Sequence, residues 1–111
     1  MKQASFRGTS LDDLRSFPEL ARREAGYQID RVQKGKEPTD YKPMPAVGKS
    51  VYEIRVEEPA GAFRVIYVAK FEKIIYVLHC FQKKTQKTAK KDIDLAKSRY
   101  RDLTKELRDE K

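Results

Sequence analysis

The sequence predicts an α+β fold: a small antiparallel sheet, made of a three-stranded meander and an N-terminal edge strand, packed with two N-terminal helices and a C-terminal helix. Three observations predict it. Residues 51–57, 63–70 and 73–81 are consecutive runs rich in Val, Ile, Tyr and Phe, which suit a pleated, half-buried surface. The segments between them, Glu58-Pro59-Ala60-Gly61 and Phe71-Glu72, are short enough for hairpins, which makes the order antiparallel. On both flanks the apolar residues recur at helical spacing.

Taken in order, Gln3 to Phe6 is expected as a short edge strand. Ser10-Leu11-Asp12-Asp13 reads as a helix start, with Ser10 as the cap and two acids placed favourably for the helix dipole. This helix is short, because Pro18 either pushes Phe17 out of helical geometry or restarts a helix at its own first turn. From Pro18 onward Ala21, Ala25, Ile29 and Val32 follow helical spacing, and Leu20 and Tyr27 widen the stripe. Gly26 weakens the middle of this second helix, and Gly35 ends it after Lys34. Residues 36–49 hold Pro38, Pro43, Pro45 and Gly48 and read as a connection, with a short extended piece near Met44. After the meander, Thr88 is the expected cap of a last amphipathic helix marked by Ile93, Ala96, Tyr100, Leu103 and Leu107. The expected layering sets the paired helices on one sheet face and the terminal helix beside it. A length of 111 residues fits one domain, residues 1–111.

Composition narrows the classes of function. Apolar residues make up 39% and charged residues 38%, so the core is small and the surface heavily charged. The longest apolar run, Ile74 to Leu78, is far too short to span a bilayer, and Lys2 is followed by no apolar stretch of the secretory kind. Cys80 is the single cysteine, so no internal disulfide is expected and a reducing cytoplasm suits the chain. One His and one Cys at adjacent positions make no metal site, and no cofactor is expected. The formal charge of +8 favours a polyanion, of which nucleic acid is the commonest, over a merely lysine-rich surface because the charge is concentrated. Lys83, Lys84, Lys87, Lys90 and Lys91 fall within nine residues that contain no acid, whereas further on bases alternate with acids as on a solvated helix.

Strand alternation groups the polar residues. Val51, Glu53 and Arg55 point away from Tyr52, Ile54 and Val56; Arg64, Ile66 and Val68 oppose Phe63, Val65 and Tyr67; and Val77, His79 and Phe81 oppose Tyr76, Leu78 and Cys80. If the more apolar sets face the helices, Arg55 and Arg64 share the other face, with Lys83 and Lys84 just beyond the last strand and His79 a further candidate for that face. Such a group suits phosphate chemistry: arginine forks bind phosphate oxygens, lysine acts as a point charge, and an imidazole transfers protons near neutral pH. Cutting RNA without a metal needs removal of the 2′-OH proton, stabilisation of the crowded phosphate and a proton for the departing 5′-oxygen. Arg55 and Arg64 would serve the second demand and His79 a proton transfer. The structural reading stands beside this one: strand arginines commonly pair with acids such as Glu53, and a lone strand histidine is commonly structural. Phe81, next to the lysines, either packs or stacks on RNA. Tyr52, Tyr67 and Tyr76 read as core or rim aromatics, and Cys80 as a small buried hydrophobe.

The segments Gly48 to Arg55, Gly61 to Tyr67 and Ile75 to Thr88, together with Ser10 to Arg15, Phe17-Pro18 and Asp92-Ile93-x-x-Ala96, resemble the RelE/ParE toxin superfamily. The closest look is to its phage-related HigB-like branch. The similarity covers nearly the whole chain in order, and Phe81-Gln82-Lys83-Lys84-Thr85 is its most specific tract. The resemblance implies a toxin of a type II toxin-antitoxin system, a metal-independent endoribonuclease that cuts messenger RNA in the ribosomal A site by 2′-OH attack. It further implies phosphate binding and transition-state stabilisation by Arg55, Arg64 and Lys83 or Lys84; the basic tract itself offers Lys84, Lys87, Lys90 and Phe81 as RNA contacts. A small antitoxin, often a helix-turn-helix protein of the HigA kind, is the implied partner. The catalytic aromatic or acidic residue that better known members place near the C-terminus has no clear counterpart, since Tyr100 falls on a stripe that would bury it. The superfamily also holds gyrase-poisoning members without ribonuclease residues, which keeps a gyrase inhibitor or a non-cleaving RNA-binding module as the alternative.

Overall fold

The architecture is a five-stranded mixed sheet with three helices, seen in a computed structural model that describes residues 1–110. Along the chain run β1 (Gln3–Phe6), α1 (Ser10–Arg15), α2 (Glu19–Gln33), β2 (Tyr41–Pro43), β3 (Val51–Glu58), β4 (Gly61–Val68), β5 (Ile74–Lys83) and α3 (Lys90–Asp109). Across the sheet the order is β1-β5-β4-β3-β2. β1 lies parallel to β5, and every other pair is antiparallel.

The meander forms where turn chemistry and β-branched runs predict it. Glu58 pairs with Gly61 around the two residues Pro59 and Ala60, and this tight hairpin brings Arg55 opposite Arg64. The expected extended piece near Met44 is a fifth strand, β2, slightly earlier in the chain. It ends at Pro43 and forms the sheet's outer edge, where a residue without an N–H is tolerated. Pro18 stands immediately before α2 with φ −53° and ψ 152°, so it closes off α1 and sets the entry to the next helix.

Two expectations are corrected. The sheet is mixed and not antiparallel throughout, because β1 lies parallel to β5. Thr88 does not cap α3; Ala89 occupies that position, and the Thr88 hydroxyl donates instead to Glu53 Oε2 at 2.8 Å. The terminal helix lies on the sheet face opposite the paired helices. One core cluster joins Leu14, Phe17, Ala21, Ala25, Ile29 and Val32 of the α1–α2 layer to Ile54, Phe63, Val65 and Val77 of the sheet. A second joins Ala96 and Leu103 of α3 to Ile66, Val68, Tyr76 and Leu78. Ala21 and Ala25 are fully buried, and their small side chains bring α2 close to the strands.

Strict alternation also fails once, in β5. Ile66 pairs with His79 and Tyr67 with Val77, which leaves Leu78 as an extra residue in a β-bulge. Before the bulge Tyr76 and Leu78 face α3; after it His79 and Phe81 face α3, and Cys80 points into the α1–α2 core. Tyr76, Leu78 and Cys80 therefore do not share a face, although period-two spacing says they should.

Candidate active site on the α3 face of the sheet

Register arranges the polar residues of this face in three rows that cross the strands. The first runs Lys42, Glu53, Ile66, His79; the second Arg55, Arg64, Phe81; the third Glu57, Ala62, Lys83. The four residues predicted as catalytic, Arg55, Arg64, His79 and Lys83, thus come together within neighbouring rows. α3 reaches the first row through Asp92 and leaves the third uncovered.

A buried carboxylate organises the group. Glu53 is completely buried; its Oε2 accepts from Thr88, and its Oε1 lies 3.6 Å from Arg64 Nε and 3.7 Å from Lys42 Nζ. Those two longer distances are Coulombic contacts rather than hydrogen bonds, and both Glu53 Oε1 and Arg64 Nε lack a bonded partner. Arg64 is only 4% exposed. Its Nη1 donates to the Phe63 carbonyl at 2.9 Å and its Nη2 sits 3.0 Å from the exposed carboxylate of Glu57. A charge removed this far from water is tolerable only because opposite charge and hydrogen bonds surround it. Arg55 is the accessible member of the pair, 38% exposed, with Nε 3.3 Å from Asp40 Oδ1.

The half-buried Lys83 stands at the rim. Partial burial lowers its ammonium below the ordinary lysine range, and repulsion from Arg64, Lys42 and Arg55 adds to the effect, with Glu53 opposing it. Lys84, Lys87 and Lys90 are exposed on the following loop and first helical turn; Lys90 pairs with Asp94 at 3.1 Å. Lys83, Lys84 and Lys91 share with Phe81 and Asp92 the wall of a pocket of about 230 Å³. A larger hollow, about 830 Å³, lies at the other end of β5 between Gln3, Gln33 and Lys73, away from this chemistry.

His79 and Phe81 occupy the floor. The imidazole stacks on the Phe81 ring at 4.7 Å and 18°, and its Nε2 is 2.7 Å from Asp92 Oδ1. Burial pushes the His79 pKa below the ordinary imidazole value, with the Asp92 hydrogen bond pulling the other way. Nε2–H donates to the Asp92 carboxylate, and Nδ1 is buried without a partner. This is a pin between β5 and α3, not a proton carrier open to a substrate. Phe81, at 8% exposure and with one face taken by His79, is packed and not presented for stacking on RNA. For both side chains the structural alternative fits the contacts, because α3 covers this end of the face that they share with Arg55 and Arg64.

The remaining sequence expectations fall into place around the site. Cys80 lies in the α1–α2 core, and burial pushes its thiol up to about 12, so it is an inert hydrophobe. Tyr100 is half-buried, with its hydroxyl bonded to the Lys49 carbonyl and reached by Lys70. Among the described residues no group of three His, Cys, Asp or Glu side chains is placed to hold a metal ion. No helix among them is long and apolar enough to cross a membrane. Sequence reasoning missed Lys42, Glu57 and Asp92, and took Glu53 as a surface partner. A signal existed for Glu53: an acid between Val51 and Ile54, in the same strand parity as Arg55, sits where only a paired carboxylate can stay buried.

Fold and site together define a small α+β protein whose cations gather at one end of a sheet face, an arrangement suited to a polyanion. The family described as Phage derived protein Gp49-like (DUF891) matches residues 12–101, and the chain belongs to it. That family is associated with toxins of the RelE/HigB type. A comparison with curated proteins gives no match.

Proposed function

We propose that this chain is the toxin of a type II toxin-antitoxin system, of the HigB-like branch of the RelE/ParE superfamily, and that it cuts messenger RNA in the ribosomal A site. The observation that carries this reading is the adjacency of Arg55 and Arg64 across β3 and β4, flanked by Lys42 and Lys83, at the end of the sheet face that α3 leaves open. In this reading Arg55 binds the non-bridging oxygens of the scissile phosphate through its planar fork. Arg64, held by the Phe63 carbonyl, Glu57 and Glu53, supplies a fixed positive field that needs no reorganisation as charge builds on the phosphate. As the 2′-oxygen bonds to phosphorus and loses its proton to water, the P–5′-O bond breaks, and Lys83, whose ammonium is made more acidic by its setting, gives the proton to the departing 5′-oxygen. His79 acts as a positioning residue that fixes Phe81 and the start of α3. Lys84, Lys87 and Lys90 hold the RNA backbone by charge. The partners are messenger RNA on the ribosome, in the cytoplasm, and a helix-turn-helix antitoxin of the HigA kind whose acidic segments mask the cationic end.

One observation favours a second reading. Glu53 and Glu57 balance the charge of Arg64, as expected of a binding module or a gyrase inhibitor that cuts nothing. Primer extension on a reporter messenger in a reconstituted translation mixture separates the two. Cuts inside codons only when ribosomes are present, slowed about 10²–10³-fold by Arg55→Ala, are expected. Intact messenger with and without ribosomes, from a folded protein, overturns the ribonuclease reading. Arg64→Ala is the poorer probe, because it also strands buried Glu53.

A further inference from the structure

The sequence of α3 interleaves seven bases with five acids, and the fold sorts that mixture. The helix buries Ala96 and Leu103, with Ile93, Tyr100 and Leu107 packed beside them. At about 100° per residue, Lys90, Lys97, Arg101, Lys105 and Arg108 then fall on one side of the buried stripe, with Asp94 the one acid in their strip. Asp92, Asp102, Glu106 and Asp109 fall on the other side.

The acidic side is used by the fold. Asp92 holds His79, Glu106 holds Arg7 at 2.7 Å, and Arg99 on the same side donates to the Leu78 carbonyl and to Thr9. The basic side is not. Lys97, Arg101, Lys105 and Arg108 are exposed, and among the described residues none of them pairs with a carboxylate. The strip starts beside the lysine loop at Lys90 and ends at a cleft of about 510 Å³ that Arg108 and Thr104 share with Lys70 and Phe71. Cations at positions 97, 101 and 105 recur once per turn, about 6 Å apart along the axis. That interval is comparable with the distance between successive phosphates of one nucleic-acid strand.

We propose that this strip is a second RNA-binding surface, which grips the phosphate ridge of a folded, double-stranded RNA while the open sheet face engages the strand to be cut. A straight helix with one cation per turn suits a rigid ridge, and duplex RNA is read through its shape and backbone. An acidic amphipathic peptide or an anionic membrane would need exposed apolar anchors along the strip. The large exposed hydrophobics are Met1, Leu20, Tyr27 and Leu95, and the only one on α3, Leu95, lies on the acidic side. The choice of RNA among polyanions rests on the ribonuclease reading, but the test reads binding alone, so the two can fail separately.

The test is fluorescence anisotropy with a labelled RNA hairpin carrying a fully paired stem, titrated between about 50 and 200 mM salt. The triple variant Lys97→Gln/Arg101→Gln/Lys105→Gln is expected to lower the slope of log affinity against log salt by about two to three. The control Arg15→Gln/Arg22→Gln/Arg23→Gln has the same net charge and is expected to change the slope by less than about one. Should the first triple variant melt early, Arg101→Gln alone carries the same test, with an expected loss of about one unit of slope. Equal losses in strip variant and control, or no loss in the strip variant, overturn the proposal. If ribosome-dependent cutting is absent and the strip variant still loses its slope, the ribonuclease reading falls and the RNA surface stands.

Discussion

The two faces of the sheet come from the same three central strands yet solve different problems. On the α1–α2 face, Ile54, Val56, Phe63, Val65, Tyr67 and Val77 meet two helices that cover them completely, and each of these side chains is buried and apolar. On the α3 face a single helix covers the end formed by Val51, Ile66, Val68, Tyr76 and Leu78, and the other end holds Glu53, Arg55, Arg64 and Lys83. A fully covered face excludes water and so excludes unpaired charge. A half-covered face can hold charge at its open end, and the buried part of that charge must then be paired. The lesson is that α3, by covering only part of the face, leaves room for the site: Thr88, just before the helix, fixes Glu53, while Arg55 and Lys83 stay in reach of a ligand.

The largest expected effect breaks the covered face. Phe63→Ala removes a fully buried ring that packs on Phe17 at 4.8 Å, and is expected to cost about 3–5 kcal/mol of stability. Urea unfolding measures the loss, and at temperatures where the variant stays folded its RNA affinity should match the parent. The open face breaks differently. Arg64→Ala leaves Glu53 buried beside a lost partner and is expected to cost about 3 kcal/mol, much of it restored when Glu53→Leu is added to the same chain. If the two losses simply add, Glu53 and Arg64 are not coupled and the account of the site's organisation fails.

A smaller effect comes from pH. Because burial lowers the His79 pKa, the unfolded chain binds more protons than the folded one once pH falls below about 6.5, the ordinary imidazole value. Stability attached to this group is complete above that value and declines as pH drops towards the folded pKa. Urea midpoints of the parent and His79→Asn, compared at pH 7.5 and 5.5 (about one unit either side of that value), should show the smaller decline in the variant; equal declines would remove His79 from the account. The smallest effect sharpens the comparison. Glu57 is exposed and occupies Arg64 Nη2, so Glu57→Gln is expected to raise RNA affinity by about two- to fivefold at low salt with little change in stability. An unchanged or weakened affinity would mean that Glu57 does not compete with phosphate.

Much of this arrangement was legible before the fold was known. Strand parity placed Arg55 with Glu53 and allowed Arg64 the same face, and the short connection at residues 58–61 made the strands a hairpin; the two-residue turn that sets Arg55 opposite Arg64 is visible only in the fold. Lys83 to Lys87 were legible as a basic tract because no acid interrupts them. Parity already set His79 and Phe81 apart from Cys80, but their burial was not legible, because it depends on α3 crossing to that face; the bulge, which leaves no mark in a run of apolar residues, moves Tyr76 and Leu78 there as well. The segregation of α3 was not legible either, because a helical wheel separates flanks only once it is known which neighbour each flank meets.

What the sequence determined by itself was therefore local: which segments are strands and helices, where turns close, and where positive charge gathers. These follow from backbone preference and spacing, which act over a few residues. Only the tertiary structure decided that α3 crosses to the opposite face, that Thr88 leaves its capping role to bind Glu53 35 positions away, and that His79 becomes a buried pin on Asp92. The physical reason is common to all three. A buried carboxylate, an imidazole and a half-covered sheet face each have to be satisfied by groups distant in sequence, and the free energy of that pairing outweighs any local preference of the residues involved.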